Sequence, residues 1–164
     1  MRTIASVITA AAIFGGTALT VVQAQGHTHT TQTVTEAKWG PAPPMLPPGA
    51  QIAVLSGDPG KSAPYAVRLK FPANYIIPAH SHPTDENVVV VSGAVTFGMG
   101  DAVAKSAAAN KTLPTGGYML APAGVNHFAY TTQDSTIVLF GIGPVEFNYV
   151  NPADDPRHAK KTQD

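Results

Sequence analysis

The stretch PAHSHPTDENVVVVSG, Pro78 to Gly93, puts two histidines two residues apart, a glutamate four residues further on, and then a run of four valines. Only 12% of the chain's residues are charged, so this concentration of ionisable groups beside an apolar strand calls for a chemical reason. In an extended strand, residues i and i+2 project to the same face. His80 and His82 therefore share a face, with Ser81 directed away. The same parity carried backwards puts Ile76 and Pro78 on the histidine face. Pro83-Thr84-Asp85 reads as a turn, and Glu86 opens the next strand on a face shared with Val88 and Val90. A third histidine, His127, follows the turn Pro122–Asn126 and opens the strand HFAYTT.

Imidazole suits Zn, Cu, Fe and Ni, and a carboxylate adds preference for harder ions such as Mn or Fe(II). Three imidazoles and one carboxylate, all at strand starts beside turns, can converge at one end of a barrel. Four such ligands fill a tetrahedral ion, or leave a six-coordinate ion two open positions. Each residue also has an ordinary reading, as a surface or hydrogen-bonded histidine or as a turn residue.

Working outward, the chain is 164 residues long with 44% hydrophobic residues, which points to one domain with a sizeable core. Fifteen prolines and fifteen glycines favour short strands and turns over long helices. The formal net charge is zero, so nothing recommends nucleic acid or an anionic membrane as a partner. With no cysteine, disulfides, thiolate ligands and cysteine nucleophiles are excluded.

Residues 1–24, MRTIASVITAAAIFGGTALTVVQA, carry Arg2, an apolar stretch and a small-residue exit ending in Ala24. They read as a signal peptide, which predicts a periplasmic or secreted protein with no stable membrane anchor after cleavage. Cleavage after Ala24 would expose Gln25-Gly26-His27. A terminal amine, two amides and a third-position imidazole can form a square-planar Cu(II) or Ni(II) site. The favoured reading is a tail whose glutamine cyclises and blocks the amine. Residues 25–50 form a polar and then proline-rich, flexible leader, with Trp39, Met45 and Leu46 available to pin it down. Residues 51–150 hold eight or nine strand signals separated by Gly, Pro, Asn and Asp turns, which predicts a β-sandwich or barrel. The Ala-rich run DAVAKSAAAN, 101–110, reads as a short helical turn or loop insertion. Residues 151–164 read as a polar C-terminal tail that frays.

The spacing H-x-H-x3-E-x6-G at His80, His82, Glu86 and Gly93, followed by G-x5-P-x-G-x2-H at Gly116, Pro122, Gly124 and His127, resembles the paired motifs of the cupin superfamily. The end of the chain, GPVEFNYVNPADDPR, is similar to that of small secreted bacterial single-domain cupins. The resemblance covers roughly residues 51–150. It implies an all-β fold, a double-stranded β-helix or jelly-roll-type barrel of six to eight strands. It also implies that His80, His82, Glu86 and His127 bind one divalent metal ion, drawn from Fe, Mn, Ni, Zn or Cu. Two positions depart from the motifs: Asn74 stands where glycine is usual, and Thr131 where asparagine is usual. Asparagine tolerates positive φ better than most residues, so the turn at Asn74 can survive.

Local glycine readings agree. VSGAVTF reads as a tight hairpin around Gly93. Tyr75, Phe97, Met99, Met119, Phe128 and Tyr130 are candidate cavity residues, each with a plain core reading beside it. Asp85 could orient a histidine but reads better as a turn residue. Arg68 alternates onto the solvent side of its strand.

Three function classes follow. The first is a metal-dependent enzyme acting on a small organic molecule, of dioxygenase, decarboxylase, lyase or isomerase type. The second is a non-catalytic cupin that binds or senses a small ligand, and the third a protein whose metal is structural. Val88–Val91 show no alternation, which predicts a strand covered on both faces. A homodimer partner or the proline-rich leader could supply the outer cover.

Overall fold

The computed structural model describes residues 30–33 and 35–158. The signal-peptide reading of residues 1–24, the Gln25-Gly26-His27 site and the last six residues lie outside the described residues. Eleven strands fall within them: β1 (Gly40–Pro41), β2 (Gln51–Ser56), β3 (Pro64–Phe71), β4 (Ile76–Ser81), β5 (Glu86–Ser92), β6 (Ala94–Met99), β7 (Lys111–Pro114), β8 (Tyr118–Ala121), β9 (His127–Thr131), β10 (Ser135–Ile142) and β11 (Asn148–Tyr149). They form two antiparallel sheets, ordered β1-β2-β3-β10-β5-β8 and β11-β4-β9-β6-β7. Among the described residues no helix is long and apolar enough to cross a membrane.

Strict alternation builds the first sheet's inner face. In β3, Tyr65, Val67, Leu69 and Phe71 are buried. β10 supplies Ile137 and Leu139, and β5 supplies Val88 and Val90. Opposite them, Ile77, Val95, Phe97 and Ala129 come from the second sheet. Each large apolar side chain removed from water contributes about 1.5–3 kcal/mol, so this two-sheet core is the main source of stability.

Gly93 does not close a hairpin. β5 pairs with β10 and β8, whereas β6 pairs with β7 and β9. Gly93 is a corner where the chain crosses between sheets. Its φ is 74°, and a Cβ there would meet the Asp134 carbonyl and Ser135. Both the left-handed backbone and the close approach require glycine.

The two departures from the cupin motifs meet at one place. Asn74 has φ 61°, so asparagine does adopt the turn conformation. The Thr131 hydroxyl donates to Pro72 O at 2.7 Å and accepts from Tyr75 N at 3.1 Å. Thr131 thereby braces both sides of the Asn74 turn from the end of β9.

Packed structure begins before residue 51 and extends past residue 150. β1 pairs with β2, Leu46 is buried, and the Tyr149 hydroxyl donates to Met45 O at 2.7 Å. The Tyr75 hydroxyl donates to Pro47 O. After β11, residues 152–154 and 156–158 form single 3-10 turns instead of fraying, because Asp155 is buried and binds Arg157 at 2.7 Å. Residues 101–110 form a looped insertion with turns closed by Ala107 N to Ala104 O and Asn110 N to Ala107 O. The strand Lys111–Pro114 that follows it carries no alternation signal in the sequence.

Candidate metal centre

His80, His82 and His127 come together at one end of the space between the sheets. Their ligand atoms all lie within 4.8 Å of one another, and all three residues are buried. His80 and His127 are register partners across β4 and β9. Glu86 arrives from the other sheet at the first position of β5, also buried. Its Oε1 lies 3.2 Å from His82 Nε2 and its Oε2 3.7 Å from His127 Nε2. The four residues read from the sequence are therefore neighbours in space.

Strand parity is right for the histidine pair and wrong behind it. His80 and His82 are buried and Ser81 is half-buried. The row behind them is Ile77, not Ile76 and Pro78, because the β4–β9 register shifts between Ile77 and His80. This irregularity inverts the alternation, so that Ile77 and His80 both face inward although they are three positions apart.

The orientation of each ring is fixed by the main chain. Nδ1 of His80 lies 2.7 Å from Pro78 O, Nδ1 of His82 2.6 Å from Glu146 O, and Nδ1 of His127 3.1 Å from Val125 O. A carbonyl only accepts, so each Nδ1 carries the hydrogen. Nε2 is left to face the common centre. Nε2 of His82 and of His127 is buried with no hydrogen-bond partner, although both lie close to the Glu86 carboxylate. A buried polar atom without a partner costs about 1–3 kcal/mol, and two at one point fit a divalent ion. Two donors each ~2.1 Å from one ion lie roughly 3.0–3.4 Å apart, close to the Glu86 separations.

The charges are arranged to match. Burial, reinforced by His127 and His82, pushes His80 down to about 3, so its imidazole is neutral at ordinary pH. Burial also opposes charge on His82, but adjacent Glu86 and the Glu146 carbonyl outweigh it and hold His82 above its ordinary value. Burial favours the neutral acid at Glu86, and the imidazoles of His127 and His82 overcome it, holding the carboxyl well below the usual range. The carboxylate is thus ionised and ready to ligate.

The loops bearing these residues are stitched together. Gly124 N donates to His82 O at 2.8 Å, and Ala123 N donates to Asp85 Oδ1 at 2.8 Å. Asp85 orients no histidine. It is a turn residue that ties the Glu86 turn to the loop preceding His127.

Of the six candidate cavity residues, only Phe97 lines the small cavity beside the histidines. Tyr75 stacks on Phe71, and Met99 is 58% exposed. Phe128 and Tyr130 lie on the other face of β9, toward the 101–110 insertion: Phe128 is fully buried there, a Cβ on Gly98 would meet both it and Asn110, and the Tyr130 hydroxyl donates to Lys105 O. Met119 packs half-buried against the core. Arg68 faces away from the cavity but not into open solvent; its Nε and Nη1 are buried. The residue missed was Phe147, whose ring stacks on His80 at 4.5 Å and meets His82 edge-on at 4.7 Å. The alternating Phe147 and Tyr149 in EFNYV were its only signal.

Fold and site together define a cupin. The chain belongs to the ChrR Cupin-like domain family, whose model matches residues 27–146. Germin-like protein 9-1 of Oryza sativa subsp. japonica is 34% identical over 79 residues, covering 48% of this chain and 32% of that protein. The chain thus spans about a third of the length of that curated relative. Among solved structures, the polyketide cyclase RemF of Streptomyces resistomycificus superposes with a TM-score of 0.60 at 15% identity, covering 79% of this chain and 90% of that one. An RmlC-like cupin of Shewanella frigidimarina gives 0.53 at 16% identity, covering 77% and 96%. Similarity at this level establishes the fold and leaves the activity to the site.

Proposed function

We propose that His80, His82, Glu86 and His127 hold one divalent metal ion, of Fe, Mn, Ni, Zn or Cu type, and that the protein uses it to act on a small organic molecule. The observation that carries this reading is the common pattern of the rings: each Nδ1–H is occupied by a backbone carbonyl, and the buried Nε2 atoms of His82 and His127 have no hydrogen-bond partner. When bound, the ion would supply Lewis-acid or redox chemistry suited to a dioxygenase, decarboxylase, lyase or isomerase. The chain's own contribution is orientation and exclusion of water. Pro78, Glu146 and Val125 carbonyls fix the rings, and Phe147 shields His80 and His82 from one side. Co(II)-loaded protein tests the reading: small chelating anions such as oxalate should shift its visible spectrum.

A second reading is a non-catalytic ligand-binding or sensing cupin with a structural metal. The cavity beside the histidines, about 20 Å³, favours it, because that space holds roughly one water. A Co(II) spectrum indifferent to every chelating anion would select this reading.

The outer face of β10, β5 and β8 supports a homodimer. Tyr118, Leu120, Phe140, Ile142 and Val91 are exposed there, and the leader strand β1 lies at the opposite edge of that sheet. A second copy of the chain would cover this face. Residues 1–24, read as a signal peptide, favour action in the periplasm or outside the cell, which N-terminal sequencing of protein recovered from cell fractions would test.

A further inference from the structure

A second cavity, of about 230 Å³, opens beside the small one. Its rim is formed by Pro43 and Met45 of the leader, Pro59 of the β2–β3 loop, and Val145. Among the described residues no charged side chain lines it, and Tyr65 is the only lining residue whose side chain carries oxygen or nitrogen. The two cavities share four lining residues: Leu46, Leu69, Leu139 and Phe147. Leu69 and Leu139 are fixed in paired strands. Leu46 and Phe147 lie outside the strands, so they are the part of the partition that can yield.

Tyr65 lines this cavity from β3, one strand removed from Glu86 on β5. Gly141 pairs with Tyr65 on one side and with Glu86 on the other. Lacking a side chain, Gly141 lets the phenol lie across it, with Tyr65 Oη 3.5 Å from where a Gly141 Cβ would stand. Among the described residues, nothing hydrogen-bonds that hydroxyl. A cavity of this kind rejects ions, since a charge buried without a partner costs many kcal/mol. It favours an apolar body with one polar atom to meet the phenol. An apolar cavity of about 150 Å³ holds benzene, so this one suits a molecule of one or two rings.

We propose that this cavity binds an uncharged, predominantly apolar small molecule of one- or two-ring size, with Leu46 and Phe147 forming the door between it and the histidines. The binding step stands on the cavity alone. Its assignment as the substrate site rests on the metal-dependent reading above.

A matched pair of dyes tests it on the full chain. 1-Naphthylamine is uncharged and of two-ring size; 5-aminonaphthalene-1-sulfonate has the same two-ring skeleton with a fixed negative charge. The neutral dye should give a saturable one-to-one blue shift of its fluorescence, with the sulfonate binding at least about tenfold more weakly because its charge finds no partner. Val145→Trp, which fills the rim without touching a histidine, should weaken the neutral dye at least about tenfold by occupying its space, with metal stoichiometry unchanged. Met45→Trp does the same from the opposite side and serves where Val145→Trp folds poorly. Equal binding of the two dyes, or unchanged affinity in both variants, would overturn the proposal. The dye titration is read on metal-free and metal-loaded protein alike, so loss of the metal reading leaves its outcome intact. In Co(II)-loaded Phe147→Ala, the neutral dye should perturb the visible spectrum; a spectrum that ignores saturating dye would remove the door.

Discussion

His80 and His127 face each other as register partners across β4 and β9, ring centroids 4.4 Å apart, although 46 positions separate them in the chain. Sheet pairing, rather than a local loop, sets the distance between two imidazoles of the candidate metal centre. Whatever moves β9 along β4 moves one ligand past the other. The site should therefore respond to changes in strand bracing far from any ligand.

Thr131 and Asn74 provide that bracing. Thr131→Val removes the hydroxyl that bonds Pro72 O and Tyr75 N and should cost about 1–3 kcal/mol in urea denaturation. Asn74→Val forces a β-branched residue into φ 61° and should cost about 1–2 kcal/mol. Asn74→Gly should match the wild type or exceed it slightly.

Asp85 ties the two ligand-bearing loops together through Ala123 N. Asp85→Ala should lower stability by about 1 kcal/mol and weaken metal binding by on the order of tenfold, as loss of supporting contacts does elsewhere. Competition titration against a chromophoric chelator measures the affinity. Asp85→Asn, which keeps an acceptor oxygen, should restore most of it.

The metal-free protein should lose stability on mild acidification. His80 is held down to about 3 by burial and by the neighbouring His127 and His82, whereas its unfolded counterpart titrates near its ordinary value. Between those values the unfolded chain binds the extra proton, so stability falls as pH drops from about 6.5, by on the order of 1 kcal/mol per pH unit at most. His82, raised above its ordinary value, acts oppositely, losing its contribution as pH rises through its folded value. Glu86 is held low, so its contribution persists above its unfolded value and is lost only in stronger acid. Urea midpoints between pH 7.5 and 4.5 should decline in metal-free wild type, and the decline should be shallower in His80→Phe.

The apolar outer face of β10, β5 and β8 sets an association prediction. Sedimentation should give a dimer, and Leu120→Glu with Phe140→Glu should give a folded monomer, because a stable interface needs the centre of its patch desolvated. A monomeric wild type would remove the homodimer.

Much of this was legible in the sequence for physical reasons. Period-2 alternation in YAVRLKF and the i, i+2 geometry of His80 and His82 are local properties of an extended chain, and they held. Features that depend on partner strands were not legible. The parity inversion before His80 comes from its register with β9. Gly93 as a sheet-to-sheet corner, rather than a hairpin, follows from which strands β5 and β6 choose. Phe147 reaches the histidines because β11 returns beside β4, and Leu46 because the leader is held by Tyr149 and Tyr75. No short window of sequence contains those contacts.

Metal content is the direct test of whether His80, His82, Glu86 and His127 hold an ion. Purified protein, loaded with a divalent ion and desalted, should carry one ion per chain by plasma mass spectrometry. His80→Ala and His127→Ala, checked for folding by circular dichroism, should each retain less than about a tenth of that, since each removes a ligand from a buried set. Full metal content in both folded variants would contradict the account.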